Sequence, residues 1–132
     1  MKYLLTSKCS LLNFYFSPNQ LKKTTMSFTG EEDHDISLED AAALTASYRT
    51  ENPTEVKGHF FGKDAIQAIL DQSTCVGIRI YYGIDSGTGE KHLVIVGADA
   101  SEDDLYEGLL AERSVSCPPY CGGSNPLNSS ST

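Results

Sequence analysis

Residues 76–98, VGIRIYYGIDSGTGEKHLVIVGA, decide the fold of this 132-residue chain. Every even position from 76 to 84 is apolar or aromatic, and the odd positions between them hold Gly77, Arg79, Tyr81 and Gly83. A period of two predicts a β-strand with one well-buried face. Residues 85–90 are typical of a turn, and residues 91–98 predict a second strand whose centre is apolar on both faces. The stretch therefore predicts an antiparallel hairpin.

Two strands alone are only marginally stable in water, so the hairpin must be covered or extended. Helices, a further segment of the chain or a second subunit would each meet this need. The preceding sequence supplies two candidate helices. Ser37 is a suitable N-cap for a helix that begins at residue 38, and the residue before Pro53 is pushed out of helical geometry. A wide apolar arc predicts a second helix over about residues 63–71.

A third helix is predicted after the hairpin. Ser101 and Asp104 have the spacing of a capping box, and Leu105, Leu109 and Leu110 follow them. We therefore expect an α+β domain of two to three helices packed on an antiparallel hairpin or sheet, in the order α-α-β-β-α, with an irregular tail.

The domain boundaries follow from composition. Residues 1–25 contain four Lys but no Asp, Glu or Gly, unlike the rest of the chain. We expect them to be disordered or not part of the native protein, residues 26–115 to form the domain, and the Pro-, Gly- and Ser-rich residues 116–132 to form the irregular tail.

The charge balance argues against two classes of partner. The net charge is −8 overall, and from Met26 onward six Lys and Arg face 18 Asp and Glu, a balance of −12. A nucleic acid or an anionic membrane surface would be repelled. No run of about 20 apolar residues predicts a transmembrane helix, and no secretory signal is recognisable. We expect a cytoplasmic protein without stable disulfides.

The most unusual motif is a pair of cysteines around two prolines, Cys117-Pro118-Pro119-Tyr120-Cys121. The two thiolates could supply half of a zinc site, completed by Cys75 or a histidine. A redox-active thiol pair is the related hypothesis. The usual zinc and redox spacings are shorter than this one, so we favour a proline-stiffened segment with two small thiols. Zinc is thus an alternative cofactor, and the preferred interpretation has none.

Three other residues are candidates for binding. Arg79 shares a strand face with Tyr81 and two glycines, where a guanidinium could bind a carboxylate or a partner's backbone. On an ordinary solvent face, Arg79 would instead pair with a Glu or Asp of the same chain. His59 lies between Gly58 and Phe60 and could either join such a site or pack beside the aromatic pair. An enzyme built on these three side chains is the weakest hypothesis.

Several stretches of the chain resemble a group of small bacterial proteins to which no activity is assigned. The stretches are His59-Phe60-Phe61-Gly62, Cys75 to Tyr82, Asp104-Leu105-Tyr106 and the Cys117 to Cys121 motif. The resemblance spans about residues 30–128 and implies a bacterial cytosolic setting, but it assigns no functional residue.

The sequence as a whole favours a small acidic, soluble, non-catalytic protein that acts as an interaction or regulatory module. Its partner would be another protein or a second copy of the chain, bound through the edge of the hairpin. The alternative is a zinc-binding or thiol-redox protein that uses Cys117 and Cys121.

Overall fold

The predicted hairpin is present, as strands β2 (Cys75–Ile84) and β3 (Lys91–Asp99). The structure is a computed structural model that describes residues 27–129, so the expectation for residues 1–25 lies outside the described part. The two strands pair in antiparallel register, with Ile80 opposite Ile95, and a bulge interrupts the ladder between Cys75 and Gly77. At the turn, one carboxylate oxygen of Asp85 accepts hydrogen bonds from the backbone N–H groups of residues 87 and 88, both at 2.8 Å.

Both helices predicted before the hairpin are confirmed. Helix α1 (Leu38–Glu51) begins after Ser37, whose Oγ accepts a hydrogen bond from the Asp40 N–H at 3.1 Å. Helix α2 (Lys63–Leu70) follows Gly62 and leads directly into β2. Within residues 27–129, neither helix has the length and apolar composition needed to span a bilayer.

The prediction of a third helix after Ser101 is wrong. The Asp99 carboxylate accepts hydrogen bonds from the N–H groups of Ser101 and Asp103, and Glu102 has a φ of 70°. An Asx-type turn and a left-handed residue both compete with a right-handed helix. Asp104 instead forms a bridge with Ala98, and the chain then enters the short strand β4 (Leu110–Ala111) beside β3.

Two further short strands complete the fold. Strand β1 (Gly58–Phe60) precedes α2, and strand β5 (Val115–Cys117) crosses the boundary that we expected between the domain and its tail. These two strands pair with each other as a separate antiparallel ribbon. Over residues 27–129 the fold is therefore α+β, with two helices and two antiparallel sheets in the order α-β-α-β-β-β-β.

The core is small and sits on β3. In the described chain the buried apolar residues are Ile69 of α2 and Ile95, Val96 and Ala98 of β3. The prediction that one face of β2 is well buried is wrong, because Ile80 is 47% exposed and Ile84 is 71% exposed. Helix α2 has eight residues and is about 12 Å long, whereas β2 extends for about 33 Å. The helix therefore leaves the turn end of β2 uncovered.

Candidate functional site

Arg79 and Tyr81 meet on one face of β2, where both bind the same carboxylate. One guanidinium nitrogen of Arg79 forms an ion pair with Asp104, and Tyr81 donates its hydroxyl hydrogen to the other oxygen of that carboxylate. A second guanidinium nitrogen donates to the Glu102 carbonyl at 3.1 Å. The guanidinium carbon lies 5.5 Å from the centre of the Phe28 ring. Hydrogen bonding with Tyr81 and the nearby Asp104 carboxylate raise the pKa of Arg79 further above its usual value.

The Arg79 cluster holds the chain together locally. It fastens the segment after β3 to the face of β2, at the place where a third helix was expected. The sequence left open whether Arg79 binds a partner or pairs within the chain, and in the structure it is paired with Asp104. The sequence could not have named Asp104 as the partner, since its capping-box position assigned it to a helix.

His59 lies elsewhere, on the small ribbon. Its Nδ1 is 2.9 Å from the Ser114 hydroxyl, just before β5. A second histidine, which the sequence analysis did not select as a binding residue, is close to this region. His92 of β3 has its Nδ1 2.6 Å from a carboxylate oxygen of Glu112. Both histidines line a cavity of about 480 Å³ between the ribbon and the hairpin turn.

The cysteines do not assemble as the zinc hypothesis requires. Cys117 and Cys121 are joined by a disulfide, so the expectation of no stable disulfide is wrong. The chain reverses between them, with the Tyr120 N–H donating to the Ser116 carbonyl at 3.1 Å, and their Cα atoms come within 4.8 Å. Cys75 is half-buried at the start of β2, in the other sheet, with its Sγ 3.2 Å from the Gly77 carbonyl oxygen. Over residues 27–129, no three His, Cys, Asp or Glu side chains converge on a possible metal position.

The outer edge of β2 is the most distinctive surface of the described residues. The sheet has the order β2-β3-β4, so among residues 27–129 β2 has a strand on one side only. The Asp85 N–H donates to the Glu90 carbonyl at 2.9 Å, which marks that pair as hydrogen-bonded. Because hydrogen-bonded and non-hydrogen-bonded pairs alternate in an antiparallel ladder, the odd residues of β2 direct their backbone groups towards β3. The even residues, from Ile78 to Ile84, direct theirs away from the sheet.

The side chains beside this edge are apolar and exposed. Ile78 is 38% exposed, Tyr82 is 93% exposed, and Ile80 and Ile84 lie between these values. The only charged side chain of β2 is Arg79, which Asp104 already neutralises. A long, uncharged edge with free backbone donors and acceptors is a template for another strand.

Gly30 limits the length of the free edge. Its φ is 78°, and a Cβ atom at this position would lie 2.5 Å from the Val76 carbonyl oxygen. The chain around residue 30 therefore lies against the edge of β2 at Val76. Within the described part of the chain, no strand pairs with the outer edge of β2 over residues 78–84.

The chain was compared with protein-family models, curated protein sequences and solved structures, and none of the three comparisons gives a match.

Proposed function

We propose that this protein is a non-catalytic interaction module whose β2 edge pairs with the β2 edge of a second copy. The observation that carries this proposal is the open edge over residues 78–84, with its outward backbone groups and exposed apolar side chains. A second strand would satisfy those backbone groups and cover the apolar side chains at the same time.

The register of pairing follows from the length of the open edge. Two antiparallel copies use all of residues 78–84 when the two-fold axis passes beside Tyr81. Ile78 then lies opposite Ile84 of the partner subunit, and Ile80 lies opposite Tyr82 of the partner subunit. Pairs of β-branched and aromatic side chains across strands are stabilising.

The absence of acids from the edge itself permits a second copy as the occupant. Two chains that each carry a net charge of −8 repel each other, so a stable contact must avoid bringing their acids together. Residues 78–84 contain no Asp or Glu. In the proposed register Arg79 lies opposite Gly83 of the partner subunit, so no like charges face each other. A two-fold contact of one surface with itself is also the commonest form of homo-oligomer.

The test is the mass of the protein in solution, measured by light scattering after size-exclusion chromatography. We expect the wild-type chain to have twice its 14.3 kDa mass at about 100 µM, a concentration well above the micromolar Kd of a modest interface. Tyr82→Lys places a charge beside the edge at a side chain that is 93% exposed, so it should produce the monomer without unfolding it. Tyr106→Lys is the matched control, since Tyr106 is 70% exposed and lies outside β2. A monomeric wild type, or a dimer that Tyr82→Lys leaves intact, would overturn the proposal.

The register has its own test. Tyr81→Cys places two sulfurs opposite each other across the two-fold axis, where Cβ atoms are about 4.5–5.5 Å apart. We expect mild oxidation to cross-link this variant through position 81, as mapped by mass spectrometry of its peptides. Arg79→Cys should not cross-link to itself, because its opposite residue is Gly83 of the partner subunit. Efficient self-linking at 79 instead of 81 would refute this register.

A further inference from the structure

We infer that the cavity between the hairpin turn and the small ribbon binds a small molecule with an apolar body and a single carboxylate. The cavity has a volume of about 480 Å³ and is lined by the C-terminal end of α1, by β1 and by the turn ends of β2 and β3. This volume is typical of sites for small organic ligands. Tyr82, Gly83 and Ile84 line this cavity and also belong to the β2 edge, but the inference is argued from Lys57, His59 and the walls beside them, and its test is separate from the mass measurement that tests the pairing.

The walls supply the apolar part of the site. Most of the surface that lines the cavity is apolar, and Tyr48, Val56 and Leu93 are among the residues that line it. Val56 and Leu93 are half-buried, and Tyr48 is 39% exposed. An aromatic or aliphatic ligand of matching size would remove this surface from water, which is favourable in proportion to the area covered.

The charge around the cavity selects an anion. Among the described residues that line it are Lys57, His59, Lys91 and His92, and no Asp or Glu. This is unusual in a chain with 18 acids. Lys91 and His92 are already paired with carboxylates, Lys91 with Glu55 at 3.0 Å and His92 with Glu112. The Lys57 ammonium instead donates to a neutral group, the Asn128 carbonyl, at 3.2 Å. Lys57 therefore brings a positive charge that a ligand carboxylate can neutralise.

His59 provides a second donor. Nδ1 of His59 and the Ser114 hydroxyl are 2.9 Å apart, and in the neutral tautomer that accepts from this hydroxyl through Nδ1 the ring carries its proton on Nε2. That N–H can donate to a carboxylate oxygen, and a hydrogen bond to a charged acceptor is stronger than one between neutral groups. Lys57 and His59 flank Gly58 in and beside β1, so both donors are held by the ribbon that β5 completes.

The neighbouring surface fixes the orientation of the ligand. A second cavity of about 370 Å³ shares His59 and His92 with the first, but Glu55 and Glu90 also line it. These carboxylates repel an anion. The ligand carboxylate should therefore point to Lys57, with the apolar body towards Leu93.

The test is a titration of the full chain with 4-phenylbutanoate, followed by backbone amide shifts in a nitrogen–proton NMR spectrum. We expect saturable shifts at the residues that line the cavity, and about tenfold weaker binding of the neutral 4-phenylbutanamide, because it lacks the charge-assisted contacts. Lys57→Gln should weaken binding of the acid about tenfold and leave that of the amide unchanged. Lys63→Gln is the matched control on α2, outside the cavity lining, and should change neither.

Three results would overturn the inference. The first is that the shifts do not saturate or lie away from the cavity. The second is that the acid and the amide bind equally well. The third is that Lys63→Gln weakens binding of the acid as much as Lys57→Gln does. A Lys57→Gln spectrum that keeps the dispersion of the wild type establishes that the variant is folded.

Discussion

Removal of the Asp104 carboxylate should destabilise the fold more than removal of any exposed acid, because two side chains depend on it. Arg79 forms an ion pair with one carboxylate oxygen and Tyr81 donates to the other. The side chains of Arg79 and Asp104 are 31% and 22% exposed, so the pair is neither fully buried nor a surface pair. Exposed pairs contribute about 0–1 kcal/mol, and breaking a buried pair costs about 3–5 kcal/mol. We therefore expect Asp104→Ala to lower the free energy of unfolding by about 2 kcal/mol.

A double-mutant cycle isolates the pair itself. Arg79→Ala, Asp104→Ala and the double variant are unfolded in urea, and we expect a coupling free energy of about 1.5 kcal/mol between the two sites. Tyr81→Phe removes only the hydroxyl and should cost about 1 kcal/mol. Each variant is measured at two protein concentrations, because association would make the apparent stability depend on concentration.

The matched control is the ion pair between Lys91 and Glu55, whose side chains are 48% and 43% exposed. The same cycle at this pair should give a clearly smaller coupling, because solvent screens exposed charges. If the coupling between Arg79 and Asp104 is no larger than that of the control pair, then the cluster does not fasten the segment after β3, and the physical argument for it fails.

Two further predictions concern the tail and the turn. Cys117→Ser with Cys121→Ser opens a loop of about five residues and should lower the free energy of unfolding by about 2 kcal/mol; a reductant should destabilise the wild type equally and leave the double variant unchanged. The N–H groups of Thr88 and Gly87 lower the pKa of Asp85 below its usual value. Such a carboxyl stabilises the fold above its unfolded pKa, and the effect is lost as the pH falls, so below about pH 4 the urea midpoint of the wild type should fall more steeply than that of Asp85→Asn. Parallel pH profiles would contradict this.

The sequence predicted the elements whose signal is local. The first helix has an N-cap and a stop before Pro53, the second has a wide apolar arc, and the hairpin strand before the turn has a period of two. Each of these signals is recognisable in a single window of sequence. The disulfide joins residues only four positions apart, and it was missed because a reducing compartment was expected. Strands β1 and β5 could not be predicted from a single window. They depend on contacts between residues about 55 positions apart, such as His59 with Ser114, and short strands of this kind carry no period of their own.

The errors in the prediction have physical causes. The prediction of a third helix was wrong because the Asp99 carboxylate accepts hydrogen bonds from nearby N–H groups and Asp104 forms an ion pair with Arg79. The spacing of residues in the sequence shows neither of these interactions. One face of β2 was expected to be buried because its alternate residues are apolar. The alternation does not show how much of the strand helix α2 covers. For the candidate site, the sequence selected His59 but not the cavity beside it, since the lining comes from four separate parts of the chain.

The shortness of β4 has a consequence for how large an assembly can become. The sheet ends at one side with β2 and at the other with β4, which has only two residues, Leu110 and Ala111. In the proposed pairing of two copies about a two-fold axis, both β2 edges lie inside the joint sheet, and a short β4 strand lies at each end of it. Short edge strands offer too few backbone groups to recruit another chain. In the proposed pairing, growth would therefore stop at a closed pair, and the apolar strand β2 would lie in the middle of a finite sheet.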